Sequence, residues 1–240
     1  MDTVDSTNNH AIDKIRAGEA EHGMAWLAMM QTLGKGQRQK KWESPKGENV
    51  LMSVAIRPGT LDRSHLFWFQ MQVALACRMH LGETTGLNFS LKWPNDLMLG
   101  DRKAGGILIE NIFRGDRWEW SVIGMGINVN QTEFGDLSNR ATSLKTATGI
   151  KLDIQDLAEG LRAFVCNHLL EKWDESLHDC LHQYESVMHR IGEDVWFKRD
   201  NNRLQAQVLG VTPDGLLRVR RNDQEEHWQH GEVQWVQNPA

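Results

Sequence analysis

Export and membrane signals are missing from this sequence. Its first residues, Met1-Asp2-Thr3-Val4-Asp5, contain neither a cationic n-region nor an apolar h-region. No apolar run approaches the roughly 18 residues that span a bilayer. Cysteine is scarce: Cys77, Cys166 and Cys180 are scattered, odd in number and free of CxxC spacing. That excludes a disulfide framework and fits a reducing compartment, so a cytoplasmic protein with no membrane partner is expected. Cationic excess is absent as well. With 27 Lys and Arg against 32 Asp and Glu, the formal charge is -5, which argues against a nucleic-acid backbone as the main partner. No Gly-x-Ser-x-Gly occurs and no cysteine is paired with a recognisable base, so covalent enzyme catalysis is not expected.

What is present is an ordinary globular composition: 240 residues, 40% hydrophobic and 25% charged, long enough to bury a core. The 10 Trp are the unusual feature, since an indole offers a flat stacking surface and one donor. Ser6-Thr7 before Asn8 to Ala17, closed by Gly18, reads as a capped helix. Met24 to Met30 and Val50 to Ile56 read as strands, with a loop from Gln31 to Trp42 between them. Leu61 to Leu81 has helical spacing with Gly82 as terminator, and Phe89 to Lys92, Lys103 to Phe113 and Trp118 to Val129 read as strands, the last two joined at Arg114-Gly115-Asp116-Arg117. Helices are predicted over Leu152 to Leu170 and Glu175 to Met188. Beyond Gly192 come short alternating segments punctuated by Asn201-Asn202, Pro213-Asp214-Gly215 and Asn222-Asp223, the texture of a small β-barrel of about fifty residues. The fold class is α+β, with a larger domain over residues 1–188 and a β-module over 189–240.

Three features point to chemistry. In Ile123 to Asn130 the alternation of a strand puts Ile123, Met125, Ile127 and Val129 on one face, and Gly124, Gly126, Asn128 and Asn130 on the other, leaving bare backbone for a ligand. A strand bending tightly over its neighbour explains the glycines equally well. A dinucleotide fingerprint is excluded, because Val129 would take its third glycine position. The loop Gly34 to Trp42 surrounds two glycines with Lys35, Arg38, Lys40 and Lys41, which suits a phosphate, and Trp42 could stack on a flat ring. A solvated basic loop is the plainer alternative, and the P-loop spacing is absent. Lys92-Trp93-Pro94-Asn95-Asp96 is followed by Lys103-Ala104-Gly105-Gly106, where an ammonium stands against bare backbone as a site for a carboxylate and a phosphate requires. His178, Cys180 and His182 are close in sequence, but on a helix Cys180 points away from the histidines, so a zinc site is not expected and no metal ligand is assigned.

Taken in order, Asp5-Ser6-Thr7-Asn8, Gln31 with Gly34 to Trp42, Lys92 to Asp96, Lys103 to Glu110 and Gly124 to Asn130 closely resemble the motifs of biotin protein ligases. The resemblance covers roughly residues 4 to 145, and the C-terminal module agrees with the family's small SH3-like barrel. It implies a mixed sheet backed by helices, and an enzyme that activates biotin with ATP and Mg²⁺, then biotinylates a lysine of a carboxylase's biotin carboxyl carrier domain. By the same resemblance Ser6, Thr7, Gln31, Gly34, Lys35, Lys103 and Gly106 would face biotin. Gln37, Arg38, Lys40, Trp42, Asn95 and Asn128 would face the nucleotide, and Lys103 and Asp96 would be catalytic. Lys35, Gln37, Gln39 and Lys40 stand where the commonest family loop has Arg, Arg, Gly and Arg, so the adenylate is expected to be held less firmly and the loop to be more restricted at Gln39. Family members often form homodimers. The motifs begin almost at the first residue, so the DNA-binding domain of some members is not expected. Two other readings are a lipoate or octanoate ligase or transferase of the same fold, and a non-catalytic biotin-binding regulator.

Overall fold

The computed structural model describes residues 1–200 and 202–236, and of Gln39 the backbone only. Its centre is β4 (Asn49–Ile56), eight residues that are all buried and lie inside a six-stranded sheet. The chain first forms β1 (Thr3–Val4), α1 (Thr7–Arg16), β2 (Ala25–Leu27) and β3 (Met30–Gln31). The predicted strand from Met24 to Met30 is thus two short strands broken at Ala28 and Met29. The reason is that β2 pairs antiparallel with β4, whereas β3 turns to pair parallel with β1.

After β4 a short 3-10 turn, capped where Asp62 accepts from the Ser64 N–H at 2.9 Å, leads into α2 (Leu66–Thr85). Gly82 does not end this helix. The cap is Gly86, which takes φ 70° and donates to the Gly82 carbonyl at 2.8 Å, a left-handed turn that glycine makes cheaply. Four strands follow: β5 (Ser90–Lys92), β6 (Asp96–Leu99), β7 (Arg102–Arg114) and β8 (Arg117–Asn128). Sequence reading missed β6 because four residues after a Pro-Asn turn show no period. Its pairing with both β5 and β7 makes it a strand. The sheet order is β2-β4-β8-β7-β6-β5, antiparallel at every step, while β1 and β3 pair parallel in a sheet of their own.

Alternation along β4 and β8 divides the sheet into two faces. Val50, Met52, Val54 and Ile56 with Ile123, Met125 and Ile127 form the core under α2 and α4 (Ile154–Glu171). The opposite face holds Ser53, Gly124 and Gly126 and is partly covered by α1. A short unpredicted helix, α3 (Leu144–Thr148), precedes α4, and α5 (Leu177–Ser186) packs on α2.

Beyond the connecting segment 187–193, strands β9 (Asp194–Arg199), β10 (Asn202–Val211), β11 (Leu217–Arg221), β12 (Gln224–Trp228) and β13 (Gln234–Trp235) form a second antiparallel sheet in the order β12-β11-β10-β9-β13. Asn222 and Asp223, both at positive φ, make the tight β11–β12 turn as predicted. Asn201, placed in a turn by the sequence reading, lies outside the described residues, as do 237–240. Phe197 packs edge-on to Trp228, with ring centroids 5.0 Å apart. The largest hydrophobic cluster runs without a break from β4 and α2 to Phe197 and Trp228, so the two sheets share one core.

Candidate active site

Strand register builds the site. Lys92 pairs with Asp96, Asp96 with Gly106, Gly106 with Gly126 and Gly126 with Leu51, so these residues form a row across β5, β6, β7, β8 and β4. Glycine keeps the middle of the row low. A Cβ on Gly126 would come within 2.7 Å of the Trp42 ring, and one on Gly106 would meet Trp42 at 3.3 Å and the Lys103 ammonium at 3.0 Å. The indole therefore covers the glycine strip, with Lys103 Nζ 5.3 Å from its ring centre. Lys103 Nζ is 2.5 Å from Asp96 Oδ1, an ion pair only partly open to solvent.

One end of this row is a closed polar network. The Thr7 N–H and hydroxyl both donate to Gln31 Oε1, at 2.7 and 3.1 Å. Ser53 Oγ lies 2.7 Å from the Thr7 hydroxyl and donates to Asn8 Oδ1 at 2.6 Å, while the Asn8 amide donates to Glu110 at 2.7 Å. Ser6, Thr7, Asn8 and Ser53 are all buried. Here the expectation of bare backbone at Gly124 is corrected: the Asn8 side chain fills that space, leaving no room for a Cβ. The sequence places Asn8 in the Asp5–Asn8 motif without showing what it touches, because its partner Glu110 is 102 residues away.

The other end is the loop. A hydrogen bond from the Trp42 N–H to the Gly34 carbonyl at 2.9 Å and a bridge between Lys35 and Lys41 close it at its base. At its tip a 3-10 turn holds Arg38 at φ 54°. Lys35 reaches Glu110 at 3.5 Å. Arg38 lies against Gly231, where a Cβ would overlap its guanidinium. Gln37 Oε1 and the Trp42 indole N–H are buried without a hydrogen-bond partner.

A cavity of about 470 Å³ gathers most of the sequence-predicted residues: Ser6, Thr7, Gln31, Lys35, Gln37, Arg38, Lys40, Trp42, Asn95, Asp96, Lys103 and Gly106. Gly34 and Asn128 do not line it. The Asn128 amide donates to the Thr142 carbonyl at 3.0 Å and the Lys103 carbonyl at 3.4 Å, which fixes the strand bearing Lys103. Asn95 donates to the Ile107 carbonyl and so pins the turn before Asp96.

Sequence reading missed part of the wall. Arg140 and a C-terminal stretch including His230, Gly231 and Trp235 line the cavity, and nothing in their local pattern indicated it. Lys92 also lines it, 5.5 Å over the Trp235 ring. Burial, with Lys103 and Lys40 adding to it, lowers the Lys92 pKa against the opposing pull of Asp96. His230 is lowered by burial first, and then by Arg38 and Lys40. The cavity is thus a cationic chamber in which Lys103 holds Asp96, a setting for anionic ligands.

The chain belongs to the biotin/lipoate A/B protein ligase family, whose profile matches residues 1–128. Among its relatives are proteins named biotin--[acetyl-CoA-carboxylase] ligase. The bifunctional ligase/repressor BirA of Bacillus subtilis is 30% identical over 233 residues, covering 92% of this chain and 69% of that protein. The BirA of Escherichia coli is 29% identical over 240 residues, covering 97% and 72%. Among solved structures, the biotin protein ligase from Aquifex aeolicus in complex with biotin and ATP superposes with a TM-score of 0.82 at 26% identity, covering 99% of this chain and 97% of that one.

Proposed function

We propose that this protein is a biotin protein ligase. It joins biotin to ATP as biotinyl-5'-adenylate and passes the biotinyl group to a lysine of a biotin carboxyl carrier domain. The observation that carries the reading is the Lys103–Asp96 pair at 2.5 Å, set against Gly106 and beside Trp42 in one cavity. Relatives named biotin--[acetyl-CoA-carboxylase] ligase, and the Aquifex aeolicus complex with both substrates, support it.

The chemistry follows from charge. A carboxylate oxygen of biotin attacks the α-phosphorus, and the bond to pyrophosphate breaks. Two anions must approach, so cations placed at their meeting point lower the barrier. Lys103 takes that position, with Lys40 and Arg38 on the phosphate side, and ATP brings its magnesium as part of the substrate. Ser6, Thr7 and Gln31 hold the polar ring of biotin, Gly34 ties the base of the loop whose Lys35 faces it, and Gly106 lets backbone approach it. Trp42, Gln37, Asn95 and Asn128 serve the adenosine side, Asn95 and Asn128 through the backbone they fix. In the second step the carrier amine attacks the acyl carbon and AMP leaves. Once Lys103 turns to the substrate's anionic groups, Asp96 is released to accept the amine proton.

The setting we infer is cytoplasmic. A second copy would pair at the sheet edge formed by β2, which among the described residues has a strand neighbour on one side only. The test is ATP–pyrophosphate exchange with each acid, followed by transfer to a carrier domain. Exchange that needs biotin is expected. Exchange with lipoate instead, or with no acid at all, overturns the assignment.

A further inference from the structure

A second cavity lies away from the active site, at the junction of α5 with the C-terminal sheet. Its walls include His178 and His182 from α5, Glu185 below them, and Arg218, Glu225 and His227 from β11 and β12. The two α5 histidines are one helical turn apart, and their ring centroids are 4.4 Å apart. Spacing of four residues puts two imidazoles on one face of a helix, the arrangement by which helical His-x-x-x-His pairs chelate a metal.

Cys180, between them in sequence, is buried on the opposite side of the helix, so it is not the third ligand. The structure offers a different one. His227 lines the facing wall, with Nε2 3.0 Å from Glu225 Oε1, a contact it would exchange for the ion. Among the described residues no three such side chains already converge on one point. The pair on α5 is therefore the chelate, and His227 joins by rotation of its side chain.

We infer that His178 and His182 form a binding site for a divalent transition metal, with His227 as third ligand. Imidazole donors with no thiolate select Cu²⁺, Ni²⁺ or Zn²⁺ over Mg²⁺ or Ca²⁺, with Cu²⁺ the tightest. Because the ligands come from α5 and from β12, a bound ion braces the helical layer to the C-terminal sheet.

The experiment titrates Cu²⁺ and Zn²⁺ into the untagged full chain by calorimetry, with Cu²⁺ electron paramagnetic resonance and melting curves in parallel. One ion per chain, nitrogen hyperfine splitting and a raised Tm are expected. His178→Asn and His182→Asn should each weaken Cu²⁺ binding about ten-fold or more. His227→Asn should weaken it less and abolish the rise in Tm. Affinity unchanged in both α5 variants overturns the site, and an unchanged Tm rise in His227→Asn overturns the third ligand. Biotin-dependent exchange in each variant checks folding, since none of the three histidines lines the active-site cavity.

Discussion

The two ends of the active-site cavity are built on opposite principles. At the Thr7–Gln31 end, each polar side chain of the network has a protein partner within 3.1 Å. At the loop end, Gln37 Oε1 and the Trp42 N–H are buried with no partner, and Arg38 holds a positive φ. A buried group without a partner costs about 1–3 kcal/mol, an expense that a ligand's donors and acceptors can offset. On the proposed assignment, biotin would meet a finished socket while the nucleotide would complete its own.

Breaking the row between the two ends should have the largest effect. Lys103→Ala is expected to lower the adenylation rate about 10²–10³-fold, because the cation at the meeting point of two anions is lost. Biotin affinity measured by calorimetry should fall much less. Equal losses of both would show that Lys103 acts only in binding.

Next comes Gly126→Val, which puts a side chain where the Trp42 ring lies. Displacing the indole should cost on the order of 10²-fold in adenylation while leaving the Thr7–Gln31 network intact. Wild-type ATP binding in this variant would show that Trp42 has no part on the nucleotide side. Ser53→Ala tests the finished socket directly. Losing the hydroxyl beside Thr7 and Asn8 should cost about 1–3 kcal/mol of stability by urea denaturation, and weaken biotin with little change for ATP.

Smaller still is Gln37→Arg. Restoring charge at the tip of the loop should slow adenylate release about three- to ten-fold, read as free biotinyl-adenylate in the absence of a carrier. Unchanged retention would mean that Gln37 does not make the loop end permissive. The side chain of Gln39, the neighbouring departure, lies outside the described residues.

Away from the site, His168 accounts for a modest pH effect. Burial lowers its pKa below the ordinary 6.5, with Lys172 adding to the shift. Below about pH 6.5 the unfolded chain binds more protons than the folded one, so this contribution to stability is present above that pH and is lost as pH falls through the lowered value. The drop in Tm between pH 7 and pH 5 should be shallower in His168→Gln, whose amide can still meet Gln72. An identical slope would remove His168 from the acid response.

The sequence showed these parts unequally. The faces of β8 were legible because Ile123, Met125 and Ile127 alternate with glycines, and a two-residue period needs no partner to be seen. The catalytic candidates were legible as motifs, since Lys92 to Asp96 and Lys103 to Gly106 are each continuous in the chain. What covers the glycines was not. Asn8 under Gly124 and Trp42 over Gly126 depend on contacts between distant segments, and no local pattern encodes them. The same holds for Asp96, whose place beside Gly106 comes from a short strand with register on both sides. His230 and Trp235 enter the cavity only because the second sheet folds back onto the first.

That return has a consequence for portability. The Trp93 indole donates to the Gly215 carbonyl at 3.0 Å, and its ring meets His230 edge-on with centroids 5.6 Å apart. A chimera that replaced everything after residue 193 with a β-module of another sequence would have to offer a carbonyl and a ring at those same two places. Otherwise the indole loses its acceptor in the very turn that presents Asp96. The fault would then surface as poor turnover in a protein that still folds. The two halves of this chain are exchangeable only as a matched set.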